Sequence, residues 1–211
     1  MTATTNTLQD EHLQVVDEHT GEPTGVTAPR AEVINNQMWC RSTNVYILSP
    51  DGELLCQQRS LNKERYPGVW STHFGGHVSA DETFKINALK EVEEEVGLKL
   101  NAHQLVPWRT SRLVPQRLWV RDFLTIYAGP LDKLTPQASE VEKIEWMTPE
   151  TIMSELQAEG EFDDMREWIA GTHNFHTDYQ CMRAVLTAML DAGLFSSEFY
   201  GLHKWKPVVL E

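Results

Sequence analysis

The stretch from Thr83 to Val96 constrains this chain more than any other, because it has helical periodicity and is followed by Gly97, the residue type that ends helices in a left-handed turn. With successive residues about 100° apart, Ile86, Leu89, Val92 and Val96 share one side of that helix. Glu91, Glu94 and Glu95 fall within an arc of about 100° on the other, while Glu93 projects about 160° away from Glu95 and outside the patch. Glu91 lies one turn from both Glu94 and Glu95, and like charges at that spacing destabilise an isolated helix by roughly a few tenths of a kcal/mol per pair. A cation removes that penalty. Hard carboxylate oxygens suit Mg²⁺ or Mn²⁺, and the backbone carbonyls of Gly75 or Gly76 offer further oxygens from the preceding loop. An acidic run standing alone is more often a solvated face.

This run does not stand alone. Gly76 is followed after five residues by Glu82, and after seven more by Lys90-Glu91-Val92-Glu93-Glu94-Glu95-Val96-Gly97-Leu98. The pattern resembles the Nudix box, Gly-x5-Glu-x7-Arg-Glu-U-x-Glu-Glu-x-Gly-U with U aliphatic, and departs from it at one position. There Lys90 keeps the charge of arginine but lacks the planar fork that grips a carboxylate with two bonds, which bears on how rigidly the loop around Glu82 is held. The resemblance implies an α/β fold, the Nudix α-β-α sandwich with a mixed β-sheet. It also implies that Glu91, Glu94 and Glu95 are the catalytic, metal-holding carboxylates for Mg²⁺ or Mn²⁺, with Gly75 adding a carbonyl and Glu82, Lys90, Gly76 and Gly97 supporting the site. The metal would polarise a diphosphate and water would attack phosphorus. Glu142 and Glu145 are candidates for an accessory base, and the plainer alternative is that they are exposed strand carboxylates.

Beyond the box, Val16-Asp17, Gly25, Arg30-Ala31, Cys40-Arg41, Gln57-Gln58-Arg59-Ser60 and Pro67-Gly68-Val69-Trp70 resemble, in that order, the isopentenyl-diphosphate-isomerase-like branch of the family, from about Leu13 to Thr151. That likeness implies diphosphate-binding roles for Arg59 and Lys63 and matches His77 to an isomerase ligand; two exposed loop cations are the competing reading of the first pair. Isomerases of the branch carry a proton-transferring cysteine immediately before Gly-His or Ser-His, where this chain has Gly75. Cys40 replaces the metal-binding histidine of their His-Arg-Ala stretch, and Asp122 falls near the family's second acid. The isomerases also tend to hold only part of the acidic set that is complete here. Three functions stay open: a Mg²⁺-dependent hydrolase of a nucleoside diphosphate derivative or other organic diphosphate, an isopentenyl-diphosphate delta-isomerase-like enzyme, and a non-catalytic diphosphate-binding domain. The complete carboxylate set favours the hydrolase.

A net charge of -13 and a pI near 5.0 exclude a protein devoted to gripping a nucleic-acid polymer. Three widely spaced cysteines fit neither a disulfide framework nor a paired zinc motif, and no long apolar run or basic leader is visible, so the expectation is a cytoplasmic protein without membrane contact. The organisation reads as a flexible N-terminus over 1–12, a Nudix hydrolase domain over 13–160 opened by a β extension, and a helical C-terminal extension over 161–211 packed on the same domain. Strands are expected at 43–49, 53–58, 104–114, 117–127 and 141–147, a helix opens at Thr148-Pro149, and a long one is expected around Tyr179 to Ala192. Whether the segment from Phe162 to Trp205 is a helical cap, a homodimer surface or a substrate lid is left open. Trp70 and Trp119 are the rings singled out as facing substrate, against the commoner role of tryptophan in a core. His173 and His176 could share a metal on a helix but read better as loop or cap residues.

Overall fold

The computed structural model describes residues 11–63, 65–157 and 175–191. Residues 1–10 of the expected loose start, His173, Trp168, Trp205 and the side chain of His176 lie outside the described residues, whereas Glu11 and His12, placed by the sequence in that loose start, are held: Glu11 pairs with Arg30 and His12 opens the first strand. The chain opens with a hairpin of β1 (His12–Val16) and β2 (Pro23–Pro29), followed by the short helix α1 (Arg30–Asn35). Proline, with no N–H to give and φ already near the helical value, stands just before the first helical residue.

A six-stranded mixed sheet forms the centre. It contains β3 (Cys40–Leu48), β4 (Leu54–Arg59), β5 (Trp70–Ser71), β6 (Val106–Leu113), β7 (Leu118–Ile126) and β8 (Val141–Met147). The order is β5-β4-β3-β7-β6, with β8 paired to β4. β3 and β7 run parallel from Cys40↔Leu118 to Leu48↔Ile126, and the other pairs are antiparallel. The helices are α2 (Phe84–Val96), α3 (Pro149–Gln157) and α4 (Phe175–Asp191). Among the described residues no helix is long and apolar enough to cross a membrane.

Strand alternation divides the core into two layers. Val45, Ile47, Leu55 and Phe123 pack against Ala88, Val92 and Val96 of α2, whereas Tyr46, Leu48, Leu54, Cys56, Leu124 and Ile126 pack against Ile152 of α3 and Met182 and Leu186 of α4. The result is the expected α-β-α sandwich with a mixed sheet, helix layers covering both faces. α4 is also tied by polar bonds: Tyr179 donates its hydroxyl to the Gly52 carbonyl at 2.7 Å, and Arg109 of β6 bonds Asp178 at 2.8 Å.

One expectation about α2 needs correction. Ile86 is 53% exposed, not part of the buried side, which runs through Ala88, Val92 and Val96 with Asn87 and Glu95 buried alongside. Ile86 sits about 120° round the helix from Val92, too far to reach the sheet. The helix ends otherwise follow the sequence: Thr83 accepts the Ile86 N–H at its start, and Gly97, at φ 72, closes its end in the left-handed conformation.

Candidate active site

The loop Gly75–Glu82 is fixed before α2 begins. Thr43 N–H and the Ser42 hydroxyl both donate to the Gly76 carbonyl at 2.9 Å, and Val78 N–H reaches the Arg41 carbonyl, so the loop lies along the start of β3. The N-terminal hairpin holds the loop from outside through Ala80 N–H to the His12 carbonyl and the Ser79 hydroxyl to Glu11, itself paired with Arg30 at 2.8 Å. Two carbonyls were offered by the sequence as metal ligands. That of Gly76 already accepts two hydrogen bonds, which leaves the Gly75 carbonyl as the freer of the two.

The three expected carboxylates take different positions. Glu95 is buried and its Oε2 accepts the Gly75 N–H at 3.0 Å. Burial, with the Glu91 charge next to it, pushes its carboxyl well above the usual carboxylate range. Glu91 is half-buried beside Gly76, where a Cβ built on the glycine would lie 2.6 Å from Glu91 Oε1. Burial and then the Glu94 charge push Glu91 up to about 7. Glu94 is on the exposed flank. Among the described residues no three His, Cys, Asp or Glu side chains are gathered round one point, and neither Glu91 nor Glu95 forms an ion pair. Glu93 is exposed and pairs with Lys99 at 3.1 Å, outside the patch as the helical angle requires. Glu82 faces Lys90, with Nζ 3.3 Å from Oε1.

The remaining sequence candidates separate. Lys63 pairs with Glu140, and Arg59 directs Nε and Nη2 at the Arg65 carbonyl, both 3.3 Å away. Burial, then Arg30, lowers His77 to about 4, so its imidazole is neutral near pH 7. Of the tryptophans, Trp70 is a core residue, and Trp119 packs against Gly21 and donates to the Glu18 carbonyl. Trp70 is therefore closed off in the core, while Trp119 stays half-buried. Glu142 is exposed on its strand and Glu145 pairs with Lys143, whereas Glu140, not singled out by the sequence, lies close enough to Glu95 to raise it further. Cys40 and Cys56 are buried, and burial pushes Cys40 up to about 11, an inert thiol. Asp122, 1% exposed, is bound by Arg109 Nε at 2.6 Å and Asn44 Nδ2 at 2.9 Å.

The residue that the sequence gave no reason to choose is Asn87. It is fully buried, accepts from the Thr43 hydroxyl, and extends its amide nitrogen to the His77 carbonyl, Glu82 Oε2 and Glu91 Oε1 at 3.0, 3.2 and 3.3 Å. The available signal was a poor helix former in the first turn of α2, past the cap position, which invites a search for side-chain partners.

A family model described as the NUDIX domain matches residues 38–170. The chain is 32% identical over 151 residues to an uncharacterised Nudix hydrolase of Pseudomonas aeruginosa, covering 70% of this chain and 85% of that one. It is 30% identical over 165 residues to the isopentenyl-diphosphate Delta-isomerase of Corynebacterium glutamicum, covering 69% and 82%. Over 94 residues it is 39% identical to Nudix hydrolase 3 of Arabidopsis thaliana, matching 44% of this chain and spanning only 12% of that protein. A crystal structure of a Deinococcus radiodurans protein superposes with a TM-score of 0.62 at 19% identity, covering 74% of this chain and 93% of that one, a likeness of fold.

Proposed function

Because the chain belongs to the NUDIX domain family, we propose that it is a Mg²⁺- or Mn²⁺-dependent hydrolase that cleaves the diphosphate linkage of a small organic molecule by attack of water on phosphorus. The observation that carries this reading is the pair Glu91 and Glu95, a half-buried and a buried carboxylate that meet neutral donors and no ion-pair partner among the described residues. Such groups are costly unless compensated, and their hard oxygens suit a small divalent cation. Glu91, Glu94, Glu95 and the Gly75 carbonyl would hold it. Once bound, the cation supplies Lewis-acid polarisation of a phosphoryl oxygen. Arg59 and Lys63 orient the diphosphate, Lys63 by exchanging its Glu140 partner for a phosphate oxygen. Neutral His77 presents a hydrogen bond without adding charge, and a carboxylate oxygen of the acidic set takes the proton from the attacking water.

The similarity to isomerases supplies the second reading, isomerisation of an isoprenoid diphosphate. The backbone at Gly75 argues against it. Its φ is 144°, and a Cβ there would fall 2.1 Å from the Thr43 carbonyl oxygen, so the proton-transferring thiol of the isomerase pattern has no room. A reducing, cytoplasmic setting goes with the hydrolase reading and suits three free cysteines.

The test is a panel of nucleoside diphosphates and triphosphates, nucleotide sugars, dinucleotides and isoprenoid diphosphates with Mg²⁺ or Mn²⁺, followed by release of phosphate or nucleoside monophosphate. Metal-dependent release from at least one class, lost in Glu94→Gln and Glu95→Gln, is expected. Equal release by wild type and both variants would overturn the mechanism, and dimethylallyl diphosphate formed from isopentenyl diphosphate would favour the isomerase.

A further inference from the structure

Lys90 cannot grip Glu82 with the two parallel bonds of a guanidinium. Both oxygens of Glu82 are nevertheless held: Lys90 Nζ lies 3.3 Å from Oε1, and Asn87 Nδ2 donates to Oε2 at 3.2 Å. The same amide nitrogen reaches Glu91 Oε1 at 3.3 Å and the His77 carbonyl at 3.0 Å, so its two hydrogens serve three acceptors and one bond is shared. The other end of the amide is anchored, since Oδ1 accepts the Thr43 hydroxyl from β3. Asn87 therefore ties the loop, the first acid of the box, the metal-facing acid and the sheet through a single buried side chain.

We infer that Asn87 is a positioning residue of the candidate metal site: together with Lys90 it supplies the two-point grip on Glu82 that one arginine would give, and through the same amide it fixes Glu91 Oε1 beside Gly76. Asn87 acts on the carboxylates and does not touch substrate. The inference rests on the metal-dependent reading above, but its readout is the ion alone. Outer groups that orient ligands typically change metal affinity or activity by about 10–100-fold when removed.

The test is the Mn²⁺ dissociation constant, read from the electron paramagnetic resonance of free ion, for wild type, Asn87→Ala, Lys90→Arg and the double variant, with urea unfolding in EDTA alongside. Asn87→Ala is expected to weaken Mn²⁺ about 10-fold or more and to lower kcat/KM in parallel. Lys90→Arg in that background is expected to recover part of that loss, because the fork again holds both oxygens of Glu82 while Glu91 Oε1 stays without its amide partner. Should Asn87→Ala fail to fold, Asn87→Ser, which keeps a polar group at the position but is too short to bridge Glu82 and Glu91, makes the same comparison. Unchanged affinity in the Asn87 variant, a loss that Lys90→Arg leaves untouched, or a wild type that holds no Mn²⁺ each overturns the inference. A wild type that binds Mn²⁺ as expected yet hydrolyses no diphosphate would sink the proposed function and leave the role of Asn87 standing.

Discussion

Two sets of carboxylates, buried or half-buried, lie on opposite faces of one sheet, and the fold treats them differently. Asp122, on the face covered by α4, is bonded to Arg109 and Asn44, and Arg109 passes another nitrogen to Asp178 on α4 itself. Glu91 and Glu95, on the face covered by α2, are met by the Asn87 amide and the Gly75 N–H, donors without charge. A buried carboxylate whose counter-charge is part of the chain works as a strut between elements. One left with neutral donors gains most from a cation brought from outside.

The comparison breaks most visibly through activity. Glu95→Gln should lower kcat/KM by roughly 10²–10⁴-fold, while its stability to urea in EDTA stays equal to or above that of wild type, because a desolvated acid has been replaced by a neutral amide. Arg109→Ala should do the opposite: unfolding free energy falls by about 3 kcal/mol as Asp122 is left uncompensated and α4 loses its tie, whether or not Mg²⁺ is present. A similar size attaches to pH. An acid whose folded pKa is raised binds more protons folded than unfolded, so metal-free protein should lose stability as pH rises from about 4.5 through about 7, by on the order of 3 kcal/mol for Glu91. Saturating Mg²⁺ should flatten that slope, and a metal-free stability that climbs over the same window would place the desolvated carboxylates wrongly. The smallest effect is expected from Tyr179→Phe, which removes the bond to Gly52 and should cost about 1 kcal/mol in urea unfolding with no change in kcat.

Much of the fold was legible because its signals are local. The proline before α1, the Thr83 cap and Gly97 at the two ends of α2, and the alternating strands from β3 to β8 each follow from residues next to one another. Local signals also misled. Ile86 belongs to an apolar arc on a helical wheel, yet only a narrower strip of α2 meets the sheet. Trp70 offered a ring, but residues from other strands bury it in the core. Asn87 was invisible for the same reason, since its partners come from β3, the preceding loop and its own helix together.

The sequence by itself determined the family, the helix carrying the acidic set and the angular separation of Glu91, Glu94 and Glu95, because 3.6 residues per turn fixes angles without reference to the rest of the chain. Tertiary structure alone decided which of those acids is buried, that both oxygens of Glu82 are held despite Lys90, and that Lys63 meets Glu140 and Arg109 meets Asp178. Those outcomes depend on strand register and on packing between elements far apart in sequence. Burial, which sets the carboxylates' affinity for protons and cations, exists only once the sheet and its two helix layers have closed around them.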